Sequence, residues 1–322
     1  DYAFGDASGA GSVAVPSAPA GDLLWARLRL RLTASSAEDL KASVTVTDSA
    51  GHVVGLIDKL LFNNILHQGT TQWSPGTVTD AYFLVPISPA TAPGDYRLNV
   101  AVYGATSLAR LATPSGDSAQ VVRLGTVAIR PDLSPPSADV LGLSQTLNRP
   151  VTDGLTLVGF ATPFGETLRP GEQASLALVW RADAPLADDY RASLWATRGE
   201  DAWPLTGPLP LAGIDYPSSR WAMGQVVRGW FDGRVPPDMA SGDYDLVVRV
   251  ANSAGAQATQ APLGKLRVQG WPRRFDVPPM QASIGANFAG QAELLGYDLQ
   301  ADANSPAVVL YWRALSAMDV SY

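Results

Sequence analysis

Apolar and polar residues alternate along much of this chain. From Leu23 to Thr33, Leu28, Leu30 and Leu32 alternate with Arg27, Arg29 and Arg31. From Leu40 to Thr47, Leu40, Ala42, Val44 and Val46 fall on one side and Lys41, Ser43, Thr45 and Thr47 on the other. Successive strand side chains point to opposite faces, so this period of two predicts half-buried β-strands. Asp48-Ser49-Ala50-Gly51 reads as a hairpin turn that sends Val53-Val54 back, residues 58–72 as a longer loop, and Val121–Ile129 as a closing strand. Further strands are expected at Leu157–Phe160, Ala174–Arg181, Tyr190–Thr197 and Leu263–Val268, with a turn at Arg169–Glu172. Within the Gly/Ala/Ser-rich residues 1–20, Ser12–Val15 is the expected first edge strand. No segment reads as a helix. Short strands punctuated by Gly and Pro predict an all-β chain of antiparallel, immunoglobulin-like sandwiches.

The pattern recurs. WSPGTVTDAYFLVPISPATAPGDYRLNVAVY, Trp73 to Tyr103, is answered by WAMGQVVRGWFDGRVPPDMASGDYDLVVRV, Trp221 to Val250. Trp73 stands 23 residues before Tyr96, and Trp221 stands 23 before Tyr244. Gly21 precedes Leu30 by nine residues, as Gly171 precedes Trp180. Leu30 precedes Leu40 by ten, as Trp180 precedes Tyr190 and Trp312 precedes Tyr322. The expected organisation is a first sandwich over 1–130 and a Pro-rich linker over 131–138. A second sandwich over 139–269, a linker over 270–283 and an incomplete third copy over 284–322 follow. Two or three strands cannot bury a core alone, and with no initiating Met the chain reads as a portion of a longer polypeptide.

The recurring residues have structural roles ready to hand. Gly94-Asp95-Tyr96 and Gly242-Asp243-Tyr244 each open an alternating strand, where a Tyr hydroxyl can bond upstream backbone. Trp73 and Trp221 are expected over the sandwich ends, and Trp180 and Trp312 on inward strand positions. Gly296-Tyr297, Leu310-Tyr311-Trp312-Arg313-Ala314, Trp221, Gly224 and Gly242-Asp243-Tyr244 together resemble the tandem β-sandwich domains of bacterial cell-envelope proteins. Such domains often follow multi-pass glycosyltransferase-like membrane regions. The first copy departs from the pattern, with Leu30 and Leu40 in place of Trp and Tyr. The resemblance implies an extracytoplasmic, non-catalytic accessory or structural module and carries over no catalytic residue.

Composition narrows the chemistry. A net charge of −7 and the lack of a Lys/Arg cluster argue against a nucleic-acid partner. The absence of cysteine excludes disulfides and thiolate metal sites. There is no apolar run long enough to span a membrane. His52, beside a hairpin Gly, reads as a solvated turn residue; His67 lies in the longest loop with Asn63, Asn64 and Asp58. The acidic pairs Glu38/Asp39 and Asp188/Asp189 begin strands in equivalent turns, where solvated charge is the ordinary reading and glycosidase-like chemistry the sharper one. No cofactor and no metal are expected, although calcium held by loop oxygens stays open. Trp195 aligns with Thr45 on the polar face, while Trp203 and Tyr216 fall in adjacent loops. An outward Trp can be a sugar platform, a protein contact or a lid over the neighbouring linker. Trp195, Trp203, Tyr216, Trp230 and His67 are therefore the candidate contact residues. The leading expectation is no enzyme, but a module that spaces or assembles a cell-surface structure. Its partners would be other envelope proteins or further copies of itself. Carbohydrate binding is the alternative.

Overall fold

A computed structural model describes residues 2–6, 16–63, 67–112, 120–132, 134, 136–162, 165, 167–255, 257–270, 275–300 and 307–316. The chain divides into two compact units, Asp1–Gly270 and Trp271–Tyr322. Its fold is all-β, of sandwich type.

The first unit opens with β1 (Tyr2–Asp6), β2 (Ser17–Pro19), β3 (Leu23–Arg31), β4 (Leu40–Thr47) and β5 (Val53–Leu60). It continues through β6 (Phe62–Asn63), β7 (Gln68–Gly69), β8 (Val78–Pro86), β9 (Gly94–Gly104) and β10 (Val122–Arg130). One sheet runs β1-β3-β8, the other β2-β10-β9-β4-β5. The chain changes sheets after β3 and again after β8, so alternate residues of both sheets point inward. Leu24, Ala26, Leu28, Phe83 and Val85 from the first sheet meet Ala42, Val44, Val46, Leu98, Val127 and Ile129 from the second.

One expectation needs correction here. The segment 58–72 is not one loop: β5 continues to Leu60 because β4 offers a partner as far as Lys41. Then β6 and β7 pair, and a 3-10 turn at Thr70–Gln72 delivers Trp73. The expected edge strand Ser12–Val15 lies outside the described residues; β1 pairs with β3.

A 3-10 turn at Ala138–Leu141 follows the Pro-rich stretch and buries Leu141. Then come β11 (Gln145–Thr152), β12 (Leu155–Ala161), β13 (Thr167–Leu168), β14 (Leu176–Ala182) and β15 (Arg191–Arg198). After these come β16 (Asp201–Pro204), β17 (Leu209–Pro210), β18 (Val226–Phe231), β19 (Gly242–Ala251) and β20 (Gln257–Val268). The sheets run β11-β12-β14-β18 and β13-β20-β19-β15-β16. The second order repeats β2-β10-β9-β4-β5 strand for strand. Register repeats as well: Leu30 faces Thr79 as Trp180 faces Val227. The fully buried Trp180 packs among Leu157, Leu178, Leu194, Leu246 and Val248.

Corner residues repeat their bonds. The Tyr96 hydroxyl donates to the Ala92 carbonyl and the Tyr244 hydroxyl to the Ala240 carbonyl, both at 2.7 Å. Gly94 and Gly242 open these strands with φ of 154° and 152°, a backbone that side chains rarely adopt. Trp73 and Trp221 are buried at the ends of their cores, as expected.

The second unit contains β21 (Ala282–Phe288), β22 (Ala292–Gln300) and β23 (Ala307–Ala314), an antiparallel sheet in that order. The expected linker residues 271–274 lie outside the described residues, as does Tyr322. Trp312, expected on an inward position, is 52% exposed, because no second sheet covers it among the described residues.

Candidate functional site

The outward face of β18 carries Val226, Arg228 and Trp230, while Val227 and Phe231 face the core. The β8–β9 loop of the first sandwich lies against this face. The Arg228 amide donates to the Ala90 carbonyl at 2.7 Å, and Thr91 bridges Arg228 in parallel. Tyr96 fixes this loop by its bond to Ala92. Below it, Ala90, Leu141, Val158, Val179 and Val226 form a small separate core, with residues from the first sandwich, the connecting turn and the second sandwich. The Arg228 guanidinium donates to the Leu141 carbonyl, and burial pulls its pKa down from the ordinary arginine value.

His52 closes the joint. Its Nδ1 lies 2.6 Å from Asp48 Oδ2 and its Nε2 2.8 Å from Asp232 Oδ2. The ring stacks on Trp230 with centroids 4.8 Å apart and planes 4° from parallel. Asp48 Oδ1 accepts the amides of Ala50 and His52, each at 2.9 Å, so one carboxylate shapes the hairpin and aims the imidazole. The expectation of a solvated turn residue is therefore corrected: His52 is largely covered and joins the two sandwiches. Beside it opens a cleft of about 430 Å³, lined in part by Tyr96, Arg191, Ile214, Arg228 and Trp230.

The other candidate residues sit elsewhere, each against a partner within the chain. Trp195 lies on the outer face of β15, with the Arg249 guanidinium 4.0 Å above its ring and its Nε1 donating to Ser193 at 2.9 Å. Trp203 meets Tyr244 edge-on at 5.2 Å. Tyr216 stacks near Trp221 at 6.4 Å and donates to Gln225 at 2.9 Å. His67 is exposed, holds a left-handed φ of 52° and lies edge-on to Phe62 at 6.5 Å; Asn64 lies outside the described residues. Of the five, only Trp230 enters the joint.

The acidic pairs hold loops. Asp39 Oδ1 accepts the Thr71 amide at 2.9 Å, and Asp189 Oδ1 the Ser219 amide at 3.1 Å, each two residues before the end-capping Trp. The Thr71 amide and hydroxyl hold the Asp39 carboxyl below the ordinary carboxylate range. Glu38 accepts from Ser107 and Thr106, and its pKa is likewise lowered, chiefly by the Ser107 hydroxyl. Asp188 is lowered chiefly by the Ser253 hydroxyl. Among the described residues no group of three His, Asp or Glu is placed to hold a metal ion. No helix there is long and apolar enough to cross a membrane.

No protein-family model and no curated protein match this sequence. Among solved structures, a Niemann-Pick type C2 protein from the Japanese carpenter ant is similar over 32% of this chain and 79% of its own. Its sequence identity is 8% and its TM-score 0.25.

Proposed function

We propose that the chain is a non-catalytic, extracytoplasmic structural module. In this reading one sandwich blueprint is copied along the polypeptide to space or assemble a cell-surface structure. The observation that carries the proposal is the joint. A backbone bond from Arg228 to Ala90, a buried apolar plug and the His52 clamp tie the sandwiches directly together. A spacer needs a fixed angle between its parts, and direct packing supplies that where a Pro-rich tether alone leaves freedom. The resemblance of the recurring motifs to envelope sandwiches supports the location and the partners, other envelope proteins or further copies.

Distance measurement tests this. The chain has no cysteine, so Lys41→Cys and Lys265→Cys place one spin label on each sandwich without background. A single narrow interlabel distance is expected; a broad distribution would remove the spacer reading. The cleft beside Trp230 and Arg191 favours a second reading, glycan binding by an accessory module. Titration with envelope glycans, followed by tryptophan fluorescence, checks it: no shift with any glycan, or a shift that Trp230→Ala leaves intact, rules out the cleft.

A further inference from the structure

The two sandwiches are filled differently at the end away from the tyrosine corner. Equivalent bonds fix which residues correspond. The Leu40 amide donates to the Thr70 hydroxyl at 2.7 Å, and the Tyr190 amide to the Ser218 hydroxyl at 2.8 Å. The Trp73 indole donates to the Gln68 carbonyl at 3.1 Å, and the Trp221 indole to the Tyr216 carbonyl at 3.4 Å. The Gly76 amide donates to the Leu32 carbonyl at 2.7 Å, and the Gly224 amide to the Ala182 carbonyl at 2.6 Å. Register matches Leu30 to Trp180. Three large aromatic residues of the second sandwich, Trp180, Tyr190 and Tyr216, therefore stand where the first has Leu30, Leu40 and Gln68.

The smaller side chains leave a gap. In the second sandwich Trp180, Ala182 and Val250 are sealed. In the first, the corresponding Leu30, Leu32 and Val102 are only half-buried. A pocket of about 270 Å³ enters there, between Leu30 and Leu32 of one sheet and Leu40, Val100 and Val102 of the other, with Trp73 in its wall. Among the described residues that line it none is acidic, and the one charged side chain is Arg31, exposed at the rim. An apolar cavity of about 150 Å³ takes one molecule of benzene. By that measure the pocket holds a chain of about ten carbons.

We propose that this pocket binds the alkyl chain of a straight-chain fatty acid, with Arg31 at the rim receiving the carboxylate. An apolar wall with a single cation at its mouth selects a ligand that is apolar along its length and anionic at one end. The second sandwich carries its own plug in Trp180 and has no such site at the matching place. The proposal goes beyond the spacer reading and rests on the first sandwich alone, so either can fail without the other.

Calorimetric titration of the 322-residue chain with decanoate is the test. One-to-one binding with a dissociation constant of about 1–100 µM is expected. From hexanoate to decanoate the affinity should rise about fourfold for each added carbon. It should level off beyond about ten carbons, where further methylenes stay in water. Leu30→Trp, which restores the side chain of the second sandwich, should weaken decanoate at least about tenfold. Leu84→Trp, the same exchange at an exposed position on β8, should leave binding unchanged. Arg31→Gln should weaken decanoate about threefold more than it weakens decanol, as an exposed ion pair would; equal losses would remove the head-group assignment. The chain-length series needs no variant to fold. No binding of decanoate at millimolar concentration, an affinity that climbs on well past ten carbons, or a folded Leu30→Trp chain that binds as tightly as the parent overturns the proposal.

Discussion

The two sandwiches of the first unit share a strand order, a tyrosine corner and a carboxylate that pins the turn before the end-capping Trp. They differ at the corner end. In the first, the loop below Tyr96 lies on β18, and His52 reaches across to Trp230 and Asp232. In the second, Arg198 lies 4.6 Å from the Tyr244 ring and Trp203 packs against its edge. Residues that recur build the framework. Residues at the same end that do not recur decide whether it engages a neighbouring sandwich or is covered by its own hairpin.

The largest expected effect separates two equivalent framework positions. Trp180→Ala should destabilise the second sandwich by about 3–5 kcal/mol, because it empties a sealed site. Leu30→Ala, at the matching but half-buried position, should cost about 1–2 kcal/mol. Equal losses in denaturant unfolding would mean that the two cores do not differ as their burial indicates. Next, Tyr96→Phe and Tyr244→Phe should each cost about 1 kcal/mol by leaving a corner carbonyl without its donor. Only Tyr96→Phe should also broaden the spin-label distance, since only that corner steadies the loop at the joint.

A smaller effect is expected at the clamp. The pair is partly exposed and screened, so a double-mutant cycle of His52→Ala with Asp232→Asn should give a coupling of about 1 kcal/mol or less. Least of all should be the acid response at Asp39. Its folded pKa is lowered, chiefly by the Thr71 amide. It therefore adds stability above the ordinary carboxylate range, and that contribution is lost as pH falls through the lowered folded value. Asp39→Asn should flatten the acid limb of a thermal-midpoint profile; an unchanged limb would show that the carboxylate's bonds are not felt.

Much of the framework was legible because its signals are local. The alternation from Leu40 to Val46 names the inward residues of β4 directly, and Gly-Asp-Tyr marks both corners. β11 escaped because Gln145, Thr146, Asn148 and Arg149 are polar and Pro150 breaks the pattern, features suited to a sheet edge. The joint escaped for another reason. His52 sits beside a hairpin glycine, and nothing nearby in sequence reveals partners 180 residues away. Of the candidate contact residues, Trp230 is the one that lies at the joint.

The contact between Ala90 and Arg228 runs through main-chain atoms. Mutational drift at either side chain therefore leaves the donor and acceptor in place, and relatives with unlike surfaces can inherit the same bend. One replacement is the exception: Arg228→Pro would take away the amide hydrogen itself, and the two halves would part at that bond whatever else was kept.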